Sequence, residues 1–286
     1  MGFDGLARFL QYNLTTKSQT HLRQSLAAGP SDAVLDIHIM FTVEERERIC
    51  DRIVQMSRED KRLIAGALIG STARDGGDHW SDLDLTFGLA DHVTLDDVLA
   101  DWKTRIASEF GAVHLFDLPF LSTVYMVFLL PNNLQVDLSF TPGNEFLARG
   151  LRFSPLFGDP HERDHAKPSS PEHMFGLTVV YLLHARACVA RGRPWEAEYC
   201  ISAARDQALS LACQHRGLKT SYGRGFDDLP PETLKRFTGI LVGTLEKTEL
   251  LNALGRCVEA LLHNSEDVSE LASRLEPQLQ ELKSTH

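Results

Sequence analysis

The sequence predicts an α+β fold, in which a small mixed sheet with helices is followed by a C-terminal helical bundle. Up to about residue 140, apolar or alternating segments typical of strands are interspersed with amphipathic helical stretches. A polar segment broken by proline and glycine runs from Phe157 to Pro171, and only helical periodicity follows it. We therefore expect two domains, residues 1–156 with the sheet and residues 157–286 with the bundle.

The elements of the first domain follow from local signals. Thr42 and Glu45 have the spacing of a capping box, which predicts the start of a helix. Gly111 predicts the end of a later helix that Thr94 begins. The predicted elements are, in chain order, a helix over 1–28, a helix from Thr42, strands over Leu63–Ile69 and Asp82–Phe87, a helix from Thr94 to Gly111, and strands over Ala112–Phe116, Ser122–Leu130 and Leu134–Phe140.

The second domain is predicted to contain only helices. Two of them begin with proline and end before glycine, which is the usual asymmetry of helix termini. The predicted helical stretches are 171–191, 194–216, 231–241, 244–262 and 267–283.

A candidate phosphate-binding turn follows the first strand, where Gly70-Ser71 ends the apolar run. Glycine lets the backbone turn tightly and approach a ligand, so that the amides of Ser71 and Thr72 can point at a phosphate. Arg74 could add a planar cationic group to the same phosphate. A Gly-Ser pair in this position is also typical of an ordinary strand-to-helix turn.

Two aspartates lie twelve residues further along the chain, in Ser81-Asp82-Leu83-Asp84-Leu85. The alternation of a half-buried strand would place Asp82 and Asp84 on one face and Leu83 and Leu85 toward the core. Neighbouring carboxylates repel unless a cation lies between them, and Mg²⁺ prefers this kind of ligand. The sequence therefore predicts a magnesium site here.

Asp137 is the candidate for a third carboxylate. It lies on the return strand of the predicted hairpin, on the same face as Gln135 and Ser139, while Val136 and Leu138 alternate toward the other face. Two-metal phosphoryl chemistry needs ligands beyond a single aspartate pair, which favours Asp137. The alternative is an aspartate on the wet side of an antiparallel strand.

These residues together resemble the DNA polymerase β-type nucleotidyltransferase superfamily. Within it, the chain is most similar to the bacterial aminoglycoside and lincosamide nucleotidyltransferases, which adenylylate antibiotics. The resemblance implies that Gly70 and Ser71 hold the β and γ phosphates of ATP or another nucleoside triphosphate, and that Asp82 and Asp84 bind Mg²⁺. It implies that Asp137 completes the metal set or accepts the proton of the acceptor hydroxyl. It also leaves a homodimer open.

The composition of the chain indicates which classes of binding partner to expect. The net charge of -10 over 286 residues disfavours nucleic acid and suits a small cationic acceptor. No signal peptide is apparent, no apolar run approaches membrane-spanning length, and the five cysteines show no C-x-x-C pair, so we expect a cytoplasmic protein that is not bound to a membrane.

Some alternatives remain open at this point. Glu145 is a rival general base, and its other interpretation is a solvated loop acid. Trp195, Glu196, Glu198 and Tyr199 could grip a cationic ligand, or could be a charged helix start with core aromatics. The enzyme could modify a partner protein instead of a small molecule. A catalytically inactive regulatory module is disfavoured by the intact aspartate set.

Overall fold

The computed structural model describes residues 41–75, 77–148, 153–158, 161–162 and 169–283. The helix expected over residues 1–28 lies outside these ranges. The chain divides into two compact units, Met1–His165 and Ala166–His286. The first contains a six-stranded mixed sheet with helices, and the described part of the second is helical, so the expected α+β fold class is confirmed.

The sheet of the first unit has the order β3-β4-β5-β2-β1-β7, and β6 pairs separately with β8. Within the six-stranded sheet β2 and β5 run parallel, whereas the other neighbouring strands are antiparallel. The described elements are α1 (Val43–Glu59), β1 (Leu63–Ile69), α2 (Thr72–Asp75), β2 (Leu83–Leu89), α3 (Leu95–Phe110), β3 (Val113–Phe120), β4 (Thr123–Leu129), β5 (Gln135–Pro142), a 3-10 turn (Gly143–Glu145), β6 (Leu147–Ala148), β7 (Phe153–Phe157) and β8 (His161–Glu162).

Several helices and strands begin or end at the residues that the local sequence signals predicted. The capping box forms at the start of α1, because the Glu45 amide donates to Thr42 Oγ1 over 3.1 Å and the Thr42 amide donates to Glu45 Oε2 over 2.9 Å. Gly111 ends α3 in the left-handed region with φ of 64°. The first strand has the predicted bounds Leu63–Ile69.

The two edge strands differ from the sequence-based expectation. β3 continues to Phe120, beyond the predicted end at Phe116, and contains Pro119. β7 occupies Phe153–Phe157, just before the expected linker, where no strand was predicted, and it contains Pro155. Proline cannot donate to a sheet ladder, but an edge strand tolerates it on the side without a neighbour. Both prolines therefore lie on strands at the edges of the sheet.

The core of the first unit lies on one face of its central strands. Leu83, Leu85 and Phe87 of β2 are almost completely buried. They belong to one apolar cluster with Ile53 of α1 and Trp102 of α3. β2 is buried at every residue, although its alternation predicted a half-buried strand. Its polar positions are therefore also withdrawn from water.

The second unit has its own apolar core. Its described helices are α4 (Pro171–Ala190), α5 (Pro194–His215), α6 (Pro231–Thr238), α7 (Lys247–His263), a 3-10 turn (Glu266–Val268) and α8 (Ser269–Leu282). Leu182 of α4, Ile201 of α5 and Leu254 of α7 are completely buried in one cluster. The five cysteines of the chain are free thiols.

Within the described residues, one helix could cross a membrane by length and composition alone, although no such segment was expected from the sequence. This helix is α4, which has 20 residues. The most apolar 18-residue stretch of the helix has a mean hydropathy of 1.3, and 39% of that stretch is buried. Phe175 and Leu182 of this helix lie in the core of the second unit. Core helices of globular domains pass the same test, so the helix is weak evidence for a membrane.

Candidate metal centre

Three carboxylates meet at the end of the central strands. Oxygen atoms of Asp82, Asp84 and Asp137 lie within 4.8 Å of one another. Asp84 and Asp137 are direct partners in the parallel pairing of β2 with β5, and Asp82 comes just before β2. The structure thus brings together the three aspartates that the sequence selected, in a space that one or two cations could share.

Burial makes this cluster electrostatically costly. Asp84 is 4% exposed and Asp137 is 7% exposed, so Asp137 is not on a wet face. Burial raises the pKa of Asp137, the nearby Asp82 raises it further, and hydrogen bonds from Gln135 lower it, which leaves a pKa of about 7. Gln135 Nε2 donates to both carboxylate oxygens over 3.1 and 3.0 Å. A bound cation would favour the ionised carboxylate against the burial and the repulsion from Asp82 that raise this pKa.

Gly70 brings the turn after β1 against the cluster. Its φ is 76°, in the left-handed region that favours glycine. A Cβ atom at this position would overlap Asp84 Oδ2. The absence of a side chain therefore allows the backbone of the turn to lie directly beside a carboxylate of the cluster.

Ser71 supplies a second feature of the turn. Its Oγ is buried and has no hydrogen-bond partner among the described residues. Buried hydroxyls are normally bonded, so such an atom suits an oxygen of a bound ligand. The three hard carboxylates that the Gly70 turn approaches fit a divalent cation such as Mg²⁺. Arg74 lies on α2, and its side chain is outside the described part of the structure.

A row of buried hydroxyls continues the polar face of the sheet beyond the aspartates. Ser139 Oγ donates to Thr86 Oγ1 over 2.8 Å, two residues further along the same two strands than the aspartates. Thr123 and Thr141 share a second bond of 2.8 Å between β4 and β5. These bonds satisfy the hydroxyls within the sheet and fix the spacing of the strands that carry the aspartates. In the sequence, the alternation of polar and apolar residues along these strands was the signal that could have indicated this row of hydroxyls.

Glu145 lies apart from the three aspartates. It is exposed in the 3-10 turn after β5, and its Oε2 accepts a hydrogen bond of 2.6 Å from Ser122 Oγ. Among the described residues, the carboxylate cluster contains the three aspartates without it. The structure therefore favours the loop-acid interpretation of Glu145.

In the second unit, the aromatic residues at the start of α5 face solvent. Trp195 is 75% exposed and Tyr199 is 67% exposed, so their interpretation as core residues is wrong. Glu196 is bonded to Arg193, and Glu198 accepts from Ser202. Trp195, Glu196 and Tyr199 are thus exposed at the start of the helix, and Glu198 is partly buried.

Arg46 is a residue near the centre that sequence reasoning missed. It lies in the first turn of α1, is only 2% exposed, and donates from Nη1 to the Ser81 carbonyl over 3.1 Å. A signal was present, because Arg46 lies three residues before Ile49 on the apolar stripe that continues through Ile53. A charged residue on a core-facing stripe indicates a specific buried partner.

Comparison with known proteins adds little. No protein-family model matches the chain, and no curated protein sequence matches it. Among solved structures, the chain is similar to an aminoglycoside 6-adenyltransferase from Bacillus subtilis, with 11% identity and a TM-score of 0.37 over 86% of this chain and 100% of that chain. A similarity of this size carries no argument about activity, so the chemistry rests on the site residues.

Proposed function

We propose that this protein is a metal-dependent nucleotidyltransferase. It transfers a nucleoside monophosphate, with AMP from ATP as the favoured case, to the hydroxyl of a small acceptor and releases pyrophosphate. An aminoglycoside or a lincosamide-like compound is the favoured acceptor. The observation that supports this best is the meeting of Asp82, Asp84 and Asp137 beside the Gly70–Ser71 turn.

The roles of the residues follow from their chemistry. Asp82, Asp84 and Asp137 would hold Mg²⁺, which when bound neutralises charge on phosphate oxygens. The amides of the Gly70–Ser71 turn and the buried Ser71 hydroxyl would hold the triphosphate. Arg74 is proposed as a further cationic contact to it.

The transfer itself is an in-line displacement. The acceptor oxygen forms a bond to the α phosphorus, the bond from that phosphorus to the bridging oxygen breaks, and pyrophosphate leaves. The hydroxyl proton passes to a base, for which Asp137 is the candidate, because it is a carboxylate at the proposed reaction centre. Most of the rate would come from positioning and charge neutralisation.

The acceptor class rests on charge. A net charge of -10 favours a cationic compound over the polyanionic backbone of nucleic acid. We place the enzyme in the cytoplasm, where nucleoside triphosphates are available.

Mass spectrometry of an acceptor panel tests this proposal. Aminoglycosides and lincosamides are incubated with the protein, Mg²⁺ and either ATP or GTP, and each compound is examined for a nucleotide adduct. We expect an adduct on one compound that disappears with Asp84→Asn. The matched control is Asp117→Asn, which changes a surface aspartate paired with Lys103 and should leave the adduct in place.

Other outcomes redirect the proposal. A nucleotide adduct on a protein, with none on any small compound, would favour a protein-modifying enzyme. The absence of pyrophosphate release with every acceptor, from a protein that binds the nucleotide, would favour a regulatory module.

A further inference from the structure

The three aspartates are placed by two different means. Asp84 and Asp137 lie within paired strands, opposite each other in the ladder of β2 with β5. This ladder begins with the Leu83 and Val136 pair, one residue after Asp82. Strand pairing fixes a residue through its backbone hydrogen bonds. Asp82 lies just outside this ladder, so the segment that precedes it contributes to its position.

That segment, Asp78–Ser81, is closed on itself by hydrogen bonds. Asp78 Oδ1 accepts from the Trp80 amide over 3.0 Å and from Ser81 Oγ over 2.9 Å. The Asp78 amide donates to Ser81 Oγ over 3.1 Å, and the Ser81 amide donates to the Asp78 carbonyl over 3.1 Å. The segment is therefore a compact turn, whose local bonds alone do not attach it to the rest of the unit.

Arg46 provides an attachment. Its Nη1 donates to two carbonyl oxygens of the turn, those of Asp78 and Ser81, across 32 and 35 residues of sequence. The Ser81 carbonyl belongs to the same planar peptide unit as the Asp82 amide and Cα. A hydrogen bond to this carbonyl therefore sets the orientation of the peptide from which the Asp82 side chain departs.

The position of Arg46 is itself well fixed. It follows the capping box of Thr42 and Glu45, and its own amide donates to the Thr42 carbonyl over 3.1 Å. The side chain is 2% exposed and lies on the stripe that also carries Ile53. A buried guanidinium is costly, and an apolar residue of similar volume usually serves packing as well or better. An apolar residue could not replace the hydrogen bonds of Arg46 to the turn.

We propose that Arg46 is a positioning residue for Asp82. It holds the Ser81–Asp82 peptide so that the Asp82 carboxylate joins those of Asp84 and Asp137 around a divalent cation. The inference rests on the metal site of the proposed function. It extends that site from the sheet to the first turn of α1.

The test is a double-mutant cycle on cation affinity. Mg²⁺ and Mn²⁺ binding are measured by calorimetry in the wild type, Arg46→Met, Asp82→Asn and the double variant, with thermal unfolding measured on each. Methionine fills the space of the arginine stem without its donors. We expect Arg46→Met to keep the fold and to weaken cation binding by about 10–100-fold, the usual effect of losing an outer-shell partner. In the Asp82→Asn background the same change should have almost no effect.

Two further variants sharpen the result. Arg52→Met removes an arginine from the same helix that pairs with Glu109 at the surface, and it should leave cation affinity unchanged. Arg46→Lys keeps the charge and part of the donor capacity, so it should give an intermediate affinity and serves if Arg46→Met does not fold.

Three results would overturn the inference. The first is a folded Arg46 variant that binds the cation as tightly as the wild type. The second is an equal loss of cation affinity on changing Arg46 in the wild-type and Asp82→Asn backgrounds. The third is a wild type that binds no divalent cation. A wild type that binds the cation and transfers no nucleotide would contradict the proposed function while leaving this inference intact.

Discussion

Several buried polar groups are bonded locally in the helical unit and across elements in the sheet unit, although Ser210 of α5 also donates to the Thr220 carbonyl outside its helix. In the helical unit, Thr178 Oγ1 and Asn264 Nδ2 donate to carbonyls four residues earlier in their own helices. In the sheet unit, the bonds cross between elements, as from Ser139 to Thr86 and from Arg46 to Ser81. Bonds within one helix add little to its position. Bonds between elements set where strands and turns lie relative to one another.

This difference shows where the fold carries specific geometry. Of the named bonds in the sheet unit, the one from Ser139 lies two residues from Asp137 and the one from Arg46 ends one residue before Asp82, whereas the named helical bonds follow from the helical period alone. Breaking a long-range bond should therefore affect the site or strand spacing, while breaking a bond within a helix should affect almost nothing.

The largest contrast is expected between an aspartate of the cluster and a surface aspartate of the helical unit. Asp84→Asn removes a proposed metal ligand and should reduce nucleotide transfer by more than about 100-fold, since even outer-shell partners cost about 10–100-fold. Asp267→Asn removes a surface partner of His215 and should change the rate by less than about twofold. Steady-state pyrophosphate release measures both. Equal effects of the two variants would remove the distinction.

A glycine pair separates backbone strain from contact with the site. Gly70 and Gly192 both have positive φ, 76° and 67°, so alanine at either position should destabilise the protein by about 1–2 kcal/mol. Only the alanine at position 70 would also meet Asp84 Oδ2, whereas a Cβ at Gly192 meets nothing within 4 Å. Gly70→Ala should therefore lose cation affinity in addition. Calorimetric titration with Mg²⁺ checks this, and equal affinity in both variants would contradict it.

The stability of the sheet unit should depend on acid through Asp60. Burial raises the pKa of Asp60, but hydrogen bonds from Arg62 and Trp102 outweigh it and hold the pKa at about 2, below its usual 3.8. A depressed pKa stabilises the folded state above pH 3.8, and this contribution is lost as the pH falls toward 2. Its full size is about 2 kcal/mol.

The Asp60 effect is measured as the difference in urea unfolding between the wild type and Asp60→Asn. Tryptophan fluorescence is a suitable signal, because Trp102 Nε1 donates to Asp60 over 3.0 Å. The advantage of the wild type should be largest at pH 5 and should shrink by pH 3. A difference independent of pH would show that Asp60 contributes through packing alone.

The smallest contrast compares two threonines. Thr141→Val leaves the buried Thr123 hydroxyl without its 2.8 Å partner in the sheet and should cost about 1–2 kcal/mol. Thr178→Val removes the side-chain hydrogen bond to the Met174 carbonyl, which comes in addition to the backbone hydrogen bonds of α4. This change should cost less than about 0.5 kcal/mol. Chemical denaturation of the two variants gives both values. A larger loss for Thr178→Val would reverse the comparison.

Local signals in the sequence were enough for much of the fold. The Leu63–Ile69 strand, the capping box at Thr42 and the proline starts of α4 and α5 depend on neighbouring residues and were predicted. The edge strand Phe153–Phe157 was missed, because its proline indicates a break unless the neighbouring strands are known.

The candidate site was predictable to a similar extent. Period two and the hairpin led to Asp82, Asp84 and Asp137, which the structure brings together. The burial of Asp137 and the contact of Gly70 with Asp84 depend on strand order, which the sequence did not provide. Arg46 acts across more than thirty residues, so only its position on an apolar stripe hinted at its role.

The central claim is that the three aspartates bind a divalent cation beside a nucleotide turn. Crystals grown with Mn²⁺ and a non-hydrolysable ATP analogue test it directly through anomalous scattering. We predict a manganese peak bonded to oxygens of Asp82, Asp84 and Asp137, with the triphosphate at Gly70 and Ser71. A nucleotide bound elsewhere, or a protein saturated with Mn²⁺ that shows no peak between these carboxylates, would contradict the account.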